Sequence, residues 1–310
     1  MNKSLLFSVI VLISFNTVSQ KVQPFTSKDG EKWTLKEDVS DEFDALNVDY
    51  KKWQKNPTHV QTWTWDNEKN VVLSDGSLKI IARFDDEGAD RRFFDSCTKK
   101  STPDFDLYFT SGMLKSYKKS VYGYYEARIK GAPLYPGLSP AFWMYSSIDD
   151  SLVKEGEVRY SEIDVVELTQ RGTRVAGNER ITDHNLHAIV SNGQKGGKGR
   201  VWMRPNDDKY RDKQRNENHA SFDPRDDFHI YGCEVNEKEI IWFVDGVEIG
   251  RKANEFWHRP MNVALSLGIR NPYTIFKCNG FAVPPKPSLE EQKKFPSAME
   301  VDYVRVWEKK

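Results

Sequence analysis

Nothing in this 310-residue chain is long and apolar enough to cross a bilayer, which takes roughly 20 consecutive apolar residues. The one mostly apolar run, residues 5–15, is shorter, follows Lys3 and gives way to polar residues. With the small residues Thr17-Val18-Ser19 behind it, it reads as a signal peptide cleaved near Ser19, leaving 20–310 as one exported domain. Net charge is also lacking: 46 Lys and Arg balance 46 Asp and Glu. No global field is left to draw in nucleic acid, so a polyanion could be attracted only by local clusters. Amphipathic helix periodicity is nearly missing, with one turn expected at 289–294. There is no internal repeat and no Pro/Gly/Ser linker, and a monomer without a redox or nucleotide cofactor is expected. Cysteine is scarce at three residues, which in an exported protein implies one disulfide and one spare thiol. Cys233 lies in the strand-like run His229-Ile230-Tyr231-Gly232-Cys233 and is expected to be buried; Cys97 and Cys278, in polar loops, are the expected pair.

What is present is β-structure. Short alternating or β-rich runs at 77–82, 122–129, 239–244, 262–267 and 300–307 are separated by turn residues. Two of these turns, Asp75-Gly76 and Asp245-Gly246, are strong hairpin signals. The pattern predicts an all-β sandwich. Two stretches break it: a polar loop at 91–106, and a long, charged segment at 191–221 expected to be a loop covering a cleft.

The chemistry concentrates in Ser161-Glu162-Ile163-Asp164-Val165-Val166-Glu167-Leu168. On a strand, residues two apart share a face, so Glu162 and Asp164 point together while Ile163 and Val165 point away. Glu167 falls on the wrong face unless one extra residue at Val165-Val166 forms a β-bulge. With the bulge, the two Glu backbones are roughly 13 Å apart, and side chains leaning together close that to about 5 Å. That separation belongs to retaining glycosidases, whereas an inverting enzyme needs a wider gap. Three crowded acids cannot all ionise easily, so at least one pKa must rise, giving a protonated acid beside an ionised nucleophile. A Glu-x-Asp pair is commonly a solvated strand face, but here the alternate face is apolar. A calcium cage would call for Gly and Asn, which this run lacks.

Glu162-Ile163-Asp164-Val165-Val166-Glu167 resembles the bulged signature of glycoside hydrolase family 16, and the likeness extends over nearly the whole mature chain. Asp41-Glu42-Phe43-Asp44 resembles the family's opening motif, Tyr122-Gly123-Tyr124-Tyr125-Glu126-Ala127-Arg128 one of its strands, and 299–307 its closing strand. Residues 136–145, 160–170, Val201-Trp202-Met203-Arg204-Pro205 and Trp257-His258-Arg259 look most like the κ-carrageenases. The resemblance implies a jelly-roll of two curved antiparallel sheets with a cleft or tunnel on the concave face. It also implies endo-hydrolysis of β-1,4 bonds in a sulfated galactan, κ-carrageenan, with retention. By position Glu162 is the nucleophile, Asp164 its hydrogen-bonded assistant, Glu167 the acid/base, and His187 faces the cleaved sugar. No cofactor is required; Asp302 matches the carboxylate at which many relatives hold a structural calcium. No C-terminal module is expected after the closing strand.

Sugar rings pack on indole, which makes Trp63, Trp65, Trp143, Trp202 and Trp257 platform candidates, Trp143 and Trp202 first; Trp242 and Trp307 are expected in the core. Sulfate favours a fork donor, and Arg204 and Arg259 each lie within two residues of a candidate Trp. Lys195, Lys198 and Arg200 add a basic run for the polyanion. The alternatives are an agarase, porphyranase or laminarinase, or a non-catalytic lectin on the same fold. Neutral agarose needs no cleft arginines, and a lectin needs neither Glu162 nor Glu167.

Overall fold

A computed structural model of the chain describes residues 22–55, 57, 63–85, 94–95, 100–101, 108–173, 175–277, 281–283 and 285–310. The expected signal peptide and the Cys97–Cys278 pair lie outside the described residues.

The two Asp-Gly turns close hairpins as their chemistry dictates. Both residues of each have positive φ, 54° and 73° at Asp75-Gly76 and 47° and 79° at Asp245-Gly246. That is the geometry whose twist matches antiparallel strands, and it pairs Ser74 with Ser77 and Val244 with Val247. Such hairpins build the larger sheet, ordered Val247–Ala253, Glu239–Val244, His229–Val235, Gly123–Lys130, Ser297–Lys309, Ser77–Phe84, Phe109–Ser111 and Thr64–Trp65. The smaller sheet runs Arg200–Met203, Leu186–Ser191, Val158–Leu168, Leu138–Tyr145, Met261–Ile269, Met113–Ser120. The β-sandwich expected from the alternation is the fold observed, an antiparallel-rich jelly-roll.

Alternate residues of each strand meet between the sheets. Ile80, Ala127, Cys233, Trp242 and Val304 of the larger sheet are fully buried in one cluster with Ile163, Val165, Leu186 and Leu265 of the smaller. Each buried aromatic there removes roughly 150–250 Å² from water, about 4–6 kcal/mol of transfer free energy. Trp242 also ties the sheets together: its Nε1 donates to the Asp164 carbonyl at 2.9 Å. Cys233 is a buried free thiol and Trp307 a core residue, as expected.

A second, smaller cluster occupies the outer face of the smaller sheet. Met113, Tyr145, Tyr160, Ile189 and Ala264 pack there under Trp65 and Trp143. This apolar floor is separate from the core between the sheets.

The segment 191–221 differs from the loop expected. It contains the 3₁₀ turn Gly196–Gly199, the strand Arg200–Met203, the helical turn Arg211–Gln214 and the strand Glu217–His219. Its two strands pair with Leu186–Ser191 and Ile181–Asp183, and its first turn is held from another strand. Arg159, fully buried, donates to the carbonyls of Leu152, Gln194 and Gly196 and to Ser191 Oγ, so its charge is satisfied and the turn is pinned. The expected turn at 289–294 is the short helix Leu289–Gln292, capped reciprocally by Ser288 and Glu291.

Candidate active site

The bulge falls where side-chain parity requires it. Along the Val158–Leu168 strand, Phe142 pairs with Val166 and Trp143 with Asp164, so Val165 is the extra residue. A bulged residue loses its ladder partner, and here buried His184 replaces it: Nδ1 lies 2.6 Å from the Val165 carbonyl and Nε2 2.8 Å from Thr182 Oγ1. Only an Nδ1–H can serve a carbonyl, so the ring is the neutral Nδ1 tautomer; burial supports this by pulling its pKa down to about 4. Glu162, Asp164 and Glu167 accordingly line one cavity with Trp63, Trp65 and Trp143, while Val165 and Val166 stay in the core.

The acids have different surroundings. Tyr160 donates its hydroxyl to Glu162 Oε2. Asp164 is 3 % exposed, and burial together with the neighbouring Glu167 and Glu162 charges holds its carboxyl well above the usual range. His187, the cross-strand partner of Glu162, has Nε2 3.4 Å from Asp164 and 3.7 Å from Glu162. Burial alone would lower its pKa, but the Glu162, Asp164 and Glu167 charges lift it to about 9. A protonated imidazole thus faces Glu162 and Asp164 near neutrality, and its positive charge opposes the burial and like charges that raise the Asp164 carboxyl. These three residues are the group of His/Cys/Asp/Glu donors close enough to hold a metal among the described residues, with ligand atoms within 4.8 Å of one another; a cation there would have to displace the His187 proton.

The raised His187 pKa carries a stability consequence. Its folded value, about 9, lies above the unfolded 6.5, so its contribution is complete below pH 6.5 and is lost as pH rises through 9. Wild-type protein should lose on the order of 3 kcal/mol across that window relative to His187→Asn. Urea midpoints of both proteins at pH 6, 7.5 and 9.5 check this; parallel curves would mean that His187 is neutral throughout.

The other expected site residues divide. Trp65 and Trp143 line the acid cavity, Trp143 stacked on Tyr145 at 4.4 Å with Nε1 donating to Ser266. Trp202 is 38 % exposed and lines an adjoining cavity with Arg204, whose guanidinium lies 4.7 Å over its ring. Trp63 is buried at 1 % exposure, edge-on to Trp65. Trp257 is core, not a platform: it is 1 % exposed and its Nε1 donates to the His187 carbonyl at 3.0 Å.

Arg259 is not brought to the acids. It donates to the Val158 carbonyl at 3.0 Å and approaches Asp149 at 3.9 Å. Val158 lies about three strand steps, roughly 10 Å, before Glu162, one residue being taken up by the register shift between Val158 and Tyr160. Arg270 stands there instead, 3.2 Å from Glu167 Oε1 and lining both cavities. Gly268 makes room for it: a Cβ at that position would lie 2.5 Å from Arg270 Nη1. Asp183 was also missed. It is the cross-strand partner of Glu167, 3 % exposed and 2.9 Å from Arg171; burial lifts its pKa to about 6 despite that arginine. Asp302 pairs with Arg128 at 2.8 Å, and among the described residues it belongs to no group of three or more His/Cys/Asp/Glu donors placed to hold a metal ion.

A jelly-roll with two glutamates and a buried aspartate on one bulged strand, floored by indoles, defines a glycoside hydrolase. The chain belongs to glycoside hydrolase family 16: residues 33–309 match the family described as "Beta-porphyranase A-D, GH16 domain". It is 46 % identical to the kappa-carrageenase of Pseudoalteromonas carrageenovora over 97 % of this chain and 71 % of that one. The crystal structure of that enzyme with an oligotetrasaccharide of kappa-carrageenan superposes with a TM-score of 0.82, covering 93 % of this chain and 99 % of that one at 46 % identity. The kappa-carrageenase zobellia_236 of Zobellia galactanivorans gives 0.79 at 44 % identity, covering 93 % and 100 %. The beta-porphyranase B of the same organism is 26 % identical over 79 % of each chain.

Proposed function

We propose that this protein is an exported, endo-acting, retaining hydrolase of β-1,4 linkages in κ-carrageenan. The observation that carries the reading is the bulge at Val165, which sets Glu162 and Glu167 on one face with Asp164 between them. Glu162 attacks the anomeric carbon and Glu167 protonates the leaving oxygen, then activates water for the second inversion. Asp164 and His187 orient Glu162. Trp143, Trp65 and Trp202 hold sugar faces, and Arg204, beside Trp202, meets sulfate. The chemistry needs no cofactor, and one chain carries the whole site. Residues 1–19 direct export, into a compartment where Cys97 and Cys278 would stay bridged.

The test is release of reducing ends from κ-, ι- and λ-carrageenan, agarose, porphyran and laminarin, with NMR of the first products. Fastest release from κ-carrageenan with the β-anomer appearing first is expected. The porphyran arm matters because the matching family description names porphyranases. Faster cleavage of porphyran or agarose removes the carrageenan assignment, and an initial α-anomer removes retention.

A further inference from the structure

The smaller sheet carries a second cationic feature that the reaction does not use. On its edge strand, Met113–Ser120, Lys115 pairs with Ala264 and Lys119 with Asn262. Ala264 and Asn262 are two apart, so they share a face, and Ala264 belongs to the apolar floor of the cleft. Both lysines therefore stand on the cleft side. A bulge makes this possible: four residues of the edge strand span two of its neighbour, bringing the lysine backbones to roughly 7 Å.

The register continues across the sheet in two rows. Lys115 lies in line with Ala264, Trp143 and Asp164; Lys119 lies in line with Asn262, Tyr145 and Glu162. Each row thus runs from a lysine, past an aromatic ring, to a catalytic acid about three strand spacings, roughly 14 Å, away. Lys115 Nζ sits 4.6 Å over the Tyr145 ring, which fixes it at the cleft. Among the described residues neither lysine forms an ion pair, and burial plus the nearby Lys119 charge depresses the Lys115 pKa. Two like charges held together without a carboxylate are unfavourable unless an anion joins them.

We propose that Lys115 and Lys119 form a remote subsite for a sulfate ester of the galactan, on the opposite edge of the cleft from Trp202 and Arg204. It holds a sugar that is not being cut, so it acts on chain binding rather than bond breaking. This rests on the sulfated-galactan reading above.

The test uses Lys115→Gln/Lys119→Gln, and separately the same pair placed in catalytically silenced Glu162→Gln protein. For hydrolysis of polymeric κ-carrageenan, KM should rise about 10- to 30-fold while kcat falls far less, and the salt dependence of KM should weaken. In the Glu162→Gln background, calorimetric affinity for κ-carrageenan should fall by a similar factor, while Lys115→Arg/Lys119→Arg retains most of it. Wild type that cleaves κ-carrageenan, with the Gln pair binding it as tightly, overturns the subsite. Wild type that fails to cleave it, with the Gln pair still weakening its binding, leaves the subsite and overturns the reaction. Loss of affinity in the Arg pair equal to that of the Gln pair reduces the lysines to a structural role.

Discussion

Glu162→Gln should lower kcat on κ-carrageenan by at least about 10⁴-fold without unfolding the protein. The amide keeps the shape of the carboxylate and can still accept the Tyr160 hydroxyl, so packing is preserved. It cannot form the glycosyl ester. Removing this charge also relieves the crowding on Asp164, where Glu162 is one of the groups opposing ionisation. The same charge supports protonated His187, so the two effects oppose each other and the melting temperature should change little while activity disappears. Reducing-end assays paired with thermal melts check both halves. A loss below about 100-fold would show that Glu162 positions another group instead of attacking, and a large drop in melting temperature would make it structural.

Much of this site could be read before any coordinates because its evidence is local. Parity along eight residues located the bulge, and two Asp-Gly pairs located hairpins. What the sequence could not show depends on strand order. Arg270 is 103 residues from Glu167, and the Leu138–Tyr145 strand lies between theirs. The one available signal was an arginine ending an apolar strand, two residues after a glycine. Asp183 and His184 sat in a stretch already singled out for His187, but cross-strand register, not spacing, assigns Asp183 to Glu167 and His184 to the bulge. Trp257 and Arg259 show the converse: neighbours in sequence need not share an environment, and Trp257 is buried in the core while Arg259 donates to the Val158 carbonyl near the start of the acid strand. The start of the 191–221 segment is pinned by Arg159, some 35 residues upstream, and its two strands pair with Leu186–Ser191 and Ile181–Asp183, none of which composition reveals.

Glu167→Ala should cost about 10²- to 10⁴-fold on κ-carrageenan, the span attributed to general acid–base catalysis, and much less on an aryl glycoside whose leaving group needs no proton. The first step then outruns the second, because no base remains to activate water, and glycosyl-enzyme accumulates. Azide needs no base, so it should restore turnover of the aryl glycoside. Arg270 aids this: it loses its 3.2 Å partner Glu167 in the variant, and a guanidinium on the cavity wall favours an anion in the vacated space. Because azide enters on the face that water normally uses, the product should be the β-glycosyl azide. With the half-buried Arg270–Glu167 pair lost, stability should fall by only about 1 kcal/mol, since the arginine can reach solvent. Product NMR and denaturant melts supply the two readouts. Rescue yielding the α-azide would make Glu167 the nucleophile, and β-azide from the Glu162 variant would exchange the two roles.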